Sequence, residues 1–432
     1  MNRIATLLTG NGLSAAFTLA RNLVLAHMLG PAHYGMAIAI VILAAAAEML
    51  TTLGLPHLMI SGKGGAARRF QSDLHFLQMT RGIAGAVIIV TCASPLAQAF
   101  GNPEFAATLQ LAALIPFTLG FIHLDHFRAQ RHQHHLPQIL VHTIPAALSF
   151  ALIWPLSWLQ GSLNIMLQVL LLQACTTVAV SHLVSTRAYR ITLSQSSLRR
   201  ALRFGLPLAV NGVMMFAVLH SEKLVAGARL GMSDMGLLAM GITLTLTPAL
   251  ISARSFQAYH LPKLRAGGGS IIGVSLLLAA SLASGVAALA PMIVSWLGVQ
   301  FLPVVGLIPI LSCTAAMRLP KSALATAALA NANTSFPALA NLPRLLAIPV
   351  MWWALSYGGG LEAILVIAFA AEVSGCVIGA YVARTFVPLA ELVIALAAIS
   401  MVLSGQILFA SMVCILGWGI CSPKLALWTR TA

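Results

Sequence analysis

Apolar residues run along this chain in blocks of twenty or more, separated by short polar or Gly/Pro-rich pieces. A helix rises 1.5 Å per residue, so roughly 20 residues cross the ~30 Å hydrocarbon core of a bilayer. Cutting at the punctuation gives blocks at 4–29, 35–60, 74–99, 105–128, 138–158, 163–186, 204–229, 235–257, 271–297, 303–327, 338–356 and 362–384. A further apolar stretch, 388–421, is too long for one span and slightly short for two. Ser404 and Gly405 offer a turn there, which predicts a tight hairpin. The pattern predicts an all-α polytopic membrane protein with 12–14 transmembrane helices.

Composition agrees. Of 432 residues, 59% are hydrophobic and 8% charged. Soluble domains carry about a quarter charged residues, so a soluble enzyme, a secreted disulfide scaffold and a disordered chain are excluded. The six cysteines form no CxxC pair and read as small buried hydrophobes. The first apolar block is too long for a signal peptide and contains Arg21, so it reads as a retained span. No GxxxxGK[ST] phosphate loop occurs.

The formal charge of +15 would suggest nucleic acid on a soluble protein, but its placement points elsewhere. Alternate connections hold the basic residues: Lys63, Arg68 and Arg69; Arg128 and Arg131; Arg187, Arg190, Arg199, Arg200 and Arg203; Lys263 and Arg265. Arg3, Arg384, Lys424 and Arg430 fall on the same side. The connections near Pro31, Asn102, Gly161, Ser233, Gly298 and Gly359 are nearly free of Lys and Arg, Arg229 excepted. The connection at Asn331 to Ser335 is uncharged and falls inside by parity. The positive-inside rule then places both termini in the cytoplasm, with no nucleic-acid partner. External connections are short, which leaves no room for an exposed catalytic domain. No catalytic residue, metal or cofactor is expected, and the chain is not read as an enzyme.

Residues 20–43 and 221–244 align without gaps at an offset of 201. Leu23, Val24, Leu29, Gly30, Gly35 and Leu43 match Leu224, Val225, Leu230, Gly231, Gly236 and Leu244. Roughly two matches would arise by chance at ordinary residue usage. In both copies the motif joins the first and second spans of a six-span set. This predicts two pseudo-symmetric six-helix bundles around a central cavity, with substrate between the halves. The boundaries are 1–190 for the first bundle, 191–203 for a cytoplasmic linker, 204–386 for the second bundle and 387–421 for the hairpin.

Charges inside spans cost roughly 2.5–3.5 kcal/mol each and persist when they face a bundle interior or a wet cavity. Here they are Arg21, Glu48, Arg81, Glu222, Lys223, Arg254, Arg318, Lys321, Arg344 and Glu372. Basic residues outnumber acids, which suits an anionic ligand such as a phosphate or diphosphate head group. The competing explanation is structural ion pairing, Arg21 with Glu48 for example, plus snorkelling near the ends. Prolines inside spans, Pro116, Pro145, Pro207, Pro248, Pro309, Pro320 and Pro343, are hinges or ordinary membrane-helix kinks. His123, His126, His132, His134 and His135 cluster near Asp125. They read as extra basic character in an inner loop, titrating near neutrality, rather than as a metal site. His27 and His220 are candidates for carrying a transported proton.

Arg21 to Gly35 reads RNLVLAHMLGPAHYG, and 204–212 reads FGLPLAVNG. These segments resemble the end of span one and the start of the second half in Wzx-type polysaccharide repeat-unit flippases, within the multidrug/oligosaccharidyl-lipid/polysaccharide exporter superfamily. The resemblance covers the whole chain in span count and half-and-half layout. It implies transfer of a polyprenyl-diphosphate-linked oligosaccharide across the bacterial cytoplasmic (inner) membrane by alternating access. O-antigen, capsule or exopolysaccharide assembly would follow, with a polymerase and chain-length proteins as pathway partners and membrane lipid around the chain. Related lipid-linked precursor flippases use arginines in the first, second and eighth spans; Arg21 and Arg254 match the first and eighth, whereas the second offers Glu48. His27 also stands where the family often has Arg. The substrate-binding set is therefore Arg21, Lys223, Arg254 and Arg318, with Glu48 and Glu372 as ion-coupling or charge-pairing residues. A multidrug or metabolite antiporter of the same superfamily is the alternative. An integral membrane enzyme acting on lipid-linked sugar would need paired carboxylates or an exposed nucleophile, and none is found.

Overall fold

A computed structural model describes residues 3–159, 164–265, 271–330, 336–383 and 387–430. The connections at Gly161 and at 331–335, Arg384, and the side chains of Arg3, Lys263, Arg265, Lys424 and Arg430 lie outside the described residues. Regular structure among the described residues is helical. The chain divides into two compact units, Met1–His220 with Gly231–Ser233 and Ser221–Leu230 with Asp234–Ala432.

The first unit opens with α1 (Arg3–Leu50). A straight helix of this length would reach about 72 Å, more than twice the bilayer core. The backbone leaves helical geometry at Gly30 (φ 70°, ψ 172°), and Pro31 starts the next helix, where its missing N–H costs nothing. Two predicted spans are thus separated by a single break rather than a loop. The second of them ends at Leu50; Gly54 (φ 60°) turns the chain into the short α2 (Leu55–Ser61). α3 (Arg68–Ala99) follows intact.

The predicted block 105–128 is shorter than expected. α4 (Ala106–Leu111) and α5 (Leu114–Leu119) carry its apolar part. The remainder leaves the helix at Gly120 and becomes α6 (Asp125–Arg131), held by polar contacts described below. α7 (Leu136–Ala151) and α8 (Ile153–Leu159) form the next block, and α9 (Ile165–Leu183) the sixth. A Cβ at Gly82 of α3 would lie 2.7 Å from Gly120 Cα and from the Pro116 carbonyl oxygen. Small residues let membrane helices approach in this way.

The expected linker 191–203 has two parts. Residues up to Ser194 are non-helical, and α10 (Gln195–Arg229) begins directly afterwards. Ser194 caps it, its hydroxyl accepting from Ser197 N at 3.3 Å. Ala201 is fully buried with Leu58, Phe70 and Leu74, so this stretch packs into the first unit.

In the second unit, α11 (Met232–Arg265), α12 (Ile272–Leu297), α13 (Pro303–Ala316) and α14 (Arg318–Ala330) precede α15 (Phe336–Ser356) and α16 (Leu361–Ala383). α17 (Leu389–Leu403) and α18 (Ile407–Arg430) form the C-terminal pair, turning at Gly405 (φ 80°) as Ser404-Gly405 predicts. Ile364, Leu365 and Ala368 of α16 pack with Met351 of α15 and Leu238 of α11.

The repeat has a backbone counterpart. Gly231, equivalent to Gly30, also has positive φ (101°), a region where a Cβ is penalised. In each half a later span ends at a positive-φ glycine, Gly101 or Gly298. A 3-10 turn then follows, Pro103–Phe105 or Val299–Phe301.

Candidate functional site

The second unit gathers charges from four helices. Glu222 and Lys223 come from α10, Arg318 and Lys321 from α14, Arg344 from α15 and Glu372 from α16. α14 starts where α13 stops at Ala316, and Pro320 prevents a regular junction. Arg318 and Lys321 are three residues apart and share a face. Glu372 is 1% exposed and faces three cations: Lys321 Nζ at 3.3 Å, Arg344 Nε at 3.5 Å and Arg318 Nε at 3.9 Å. Arg344, 3% exposed, places Nη1 2.6 Å from Glu222 Oε1. A Cβ at Gly375 would come within 2.4 Å of the Ala340 carbonyl oxygen, so a glycine is needed where α16 meets α15 beside this cluster.

Lys223 is half-buried and makes no hydrogen bond or ion pair with a described residue. Four cations, Lys223, Arg318, Lys321 and Arg344, thus stand against two carboxylates, Glu222 and Glu372, a surplus of two positive charges. Buried charges are tolerated when paired and hydrogen-bonded, and a surplus calls for an anion.

The first unit holds a second buried cation. Arg21 is 4% exposed. Its Nη1 donates to Gln173 of α9, and its Nε and Nη2 donate to Asn22 Oδ1 at 3.4 Å. Among the described residues no carboxylate lies within 4 Å of it, so the Arg21–Glu48 pair does not form. Glu48 is exposed, and its backbone oxygen, not its carboxylate, accepts from Arg81 Nη2 at 2.9 Å. Arg254 is exposed on α11, with no bond to a described residue. Arg229 lies 4.2 Å over the Trp352 ring.

The histidine cluster builds a different object. Asp125 accepts from Arg128 Nε at 2.6 Å and Nη2 at 2.9 Å, from Gln71 at 3.2 Å and from Thr186 N at 3.0 Å. Burial works against its charge, but Arg128 and Thr186 hold its carboxyl well below the usual range. His123 Nε2 sits 3.0 Å from both the Arg187 carbonyl and Ser185 Oγ, and His126 Nδ1 2.9 Å from the His123 carbonyl. Burial lowers His123 and pushes His126 down to about 4. These two are therefore neutral at pH 7 and add no basic character, a correction to the expected near-neutral titration. His132, His134 and His135 instead line a cavity of about 750 Å³ with Arg128.

A family model described as polysaccharide biosynthesis protein matches residues 24–267, more than half of the chain. The chain belongs to this family. No curated protein matches the sequence. Among solved structures, this polysaccharide biosynthesis protein is similar to the lipid II flippase MurJ in an inward closed conformation. The TM-score is 0.70 at 14% identity, over 97% of this chain and 98% of that one. An inward-facing multidrug resistance MATE family transporter of the MOP superfamily gives 0.66 at 15% identity, over 86% and 94%. A MOP superfamily transporter from Pyrococcus furiosus gives 0.57 at 16%, over 91% and 94%. The fold is the one these transporters share, as the resemblance carried by RNLVLAHMLGPAHYG implies.

In this polysaccharide biosynthesis protein the expected site residues fall into separate surroundings. Lys223, Arg318 and Glu372 belong to the cluster of the second unit, and Arg21 to the first. The sequence-based set omitted Arg344 and Glu222, the shortest ion pair of that cluster. Both are legible as charges inside a span, but no spacing in the sequence pairs one with the other.

Proposed function

We propose that this polysaccharide biosynthesis protein moves polyprenyl-diphosphate-linked oligosaccharide repeat units from the inner to the outer leaflet of the bacterial cytoplasmic membrane by alternating access. The product feeds surface polysaccharide assembly with a polymerase and chain-length proteins. The observation that carries this reading is the positive surplus around Lys223, Arg318, Lys321 and Arg344, against Glu222 and Glu372. A diphosphate offsets such a surplus and accepts bidentate bonds from arginine. A site for cationic drugs would need the opposite sign, which argues against a multidrug antiporter. Family membership supports the pathway, and the likeness to a lipid II flippase supports a lipid-linked cargo.

In this reading Arg21, Lys223, Arg254 and Arg318 attract the diphosphate. Glu372 holds Lys321, Arg318 and Arg344 in register, and Glu48 is left for a coupling proton. No bond is made or broken, so the residues bind and release but do not catalyse. Arg21→Ala and Arg318→Ala in a deletion strain should abolish surface polysaccharide with unchanged protein in the membrane. Normal export by both variants would overturn the assignment. Drug susceptibility of the deletion strain separates the antiporter reading.

A further inference from the structure

A cavity of about 910 Å³ opens in the first unit at the start of α10. Arg199, Arg200, Arg203 and Phe204 line it, as do Gln195 and Ser196 of the first helical turn. The leading N–H groups of a helix favour an anion. Arg200 lies 4.5 Å over the Phe70 ring, and Gly62 makes room for its guanidinium. A Cβ at Gly62 would stand 2.7 Å from Arg200 Nη2. Among the described residues no carboxylate lies within 4 Å of Arg199, Arg200 or Arg203. Asp73, bonded to the same turn, accepts from Thr192, Ser194 and Ser197 at 2.7 Å each.

The positive-inside rule accounts for arginines at a cytoplasmic helix end. An exposed apolar face on α10 suits contact with acyl chains, and here it runs directly on from the arginines that line the cavity. Arg199, Arg203, Leu206, Val210 and Val213 recur every three or four residues and so share one helix face. All five are exposed, Leu206 by 59% and Val210 by 64%. One stripe of α10 is therefore cationic beside the cavity and apolar beyond it.

We propose that this stripe binds an anionic phospholipid of the inner leaflet. The phosphate rests on Arg199, Arg200 and Arg203, and an acyl chain lies along Leu206, Val210 and Val213. Free phosphate would satisfy the arginines but has no use for the apolar track. A polyprenyl diphosphate presents the same phosphate chemistry, so the test includes it. The site is separate from the charge cluster of the second unit and does not depend on the cargo assigned above.

Native mass spectrometry of the delipidated full chain reads this directly. The probes are phosphatidylglycerol, phosphatidylcholine, inorganic phosphate and undecaprenyl diphosphate. The wild type should retain a single phosphatidylglycerol in preference to phosphatidylcholine. Arg199→Gln/Arg203→Gln should weaken its retention about tenfold, the scale of 1.4 kcal/mol. Leu206→Ser/Val210→Ser, which keeps every arginine, should weaken it as well. Arg69→Gln/Arg190→Gln, in another arginine-lined cavity, should not. Unchanged retention in both stripe variants would overturn the proposal. So would displacement by inorganic phosphate, displacement one for one by undecaprenyl diphosphate, or equal loss in the Arg69/Arg190 variant.

Discussion

Arg344 Nη1 lies 2.6 Å from Glu222 Oε1, joining α15 to α10. Its Nε is 3.5 Å from Glu372, so one guanidinium ties three helices of the second unit together. Removing one member of a buried pair typically costs about 3–5 kcal/mol, because the other charge is left uncompensated. Arg344→Met should lower the melting temperature of the detergent-solubilised protein by several degrees. Arg344→Met/Glu222→Gln should recover part of the loss. A double variant no better than the single one would show that the pair does not act as a unit.

Lys223 behaves oppositely in this account. It has no described partner to orphan, so Lys223→Met should change unfolding free energy by less than about 1 kcal/mol. Export should nevertheless fail. A combined melting and surface-polysaccharide measurement checks both halves; a stability loss as large as that of Arg344→Met would make Lys223 a structural residue.

The segment around α6 should loosen in acid. Asp125 has a depressed pKa in the fold, so its contribution is present above the ordinary carboxylate range and is lost as pH falls below it. His126 is lowered from 6.5 to about 4 by burial, so the unfolded chain binds its proton first. Stability is full above pH 6.5 and declines towards pH 4, by on the order of 2 kcal/mol at pH 5. Hydrogen exchange over 123–131 should therefore be faster at pH 5 than at pH 7 after correction for intrinsic rates. His126→Phe should flatten the difference. Equal protection in the wild type at both pH values would contradict the buried neutral histidine.

Much of the fold was legible because its signals are local. Apolar blocks need only length and punctuation, and Ser404-Gly405 is a turn by residue type alone. One matched glycine pair of the repeat meets a backbone requirement: Gly30 and Gly231 both take positive φ. The site was legible only in part. Sign counting picked out the surplus of positive charge. Which cation meets which acid depends on how α10, α14, α15 and α16 pack, and no spacing within one helix encodes that. Arg21 and Glu48 are both intramembrane by sequence, yet one is buried between neutral amides and the other is exposed. Block 105–128 breaks near its end because Asp125, His123 and Leu124 find partners on segments 71–75 and 185–187, far away in sequence.

Gly231→Ala tests the repeat. Nothing lies within 4 Å of a Cβ there, so the φ of 101° alone sets the cost. A loss of about 1–2 kcal/mol is expected from the backbone strain. An unchanged melting temperature would mean that the turn relaxes and that the glycine is not conformationally required.

In the proposed function, cations buried among membrane helices receive a phosphorylated lipid head. Its most direct test is transbilayer movement in proteoliposomes of a fluorescent undecaprenyl-diphosphate oligosaccharide, comparing wild type with Lys223→Met and Arg318→Gln. Protein-dependent movement is expected of the wild type, lost in both variants and absent for an uncharged lipid carrying the same glycan. Equal movement of the charged and uncharged lipids, or full activity in both variants, would contradict it.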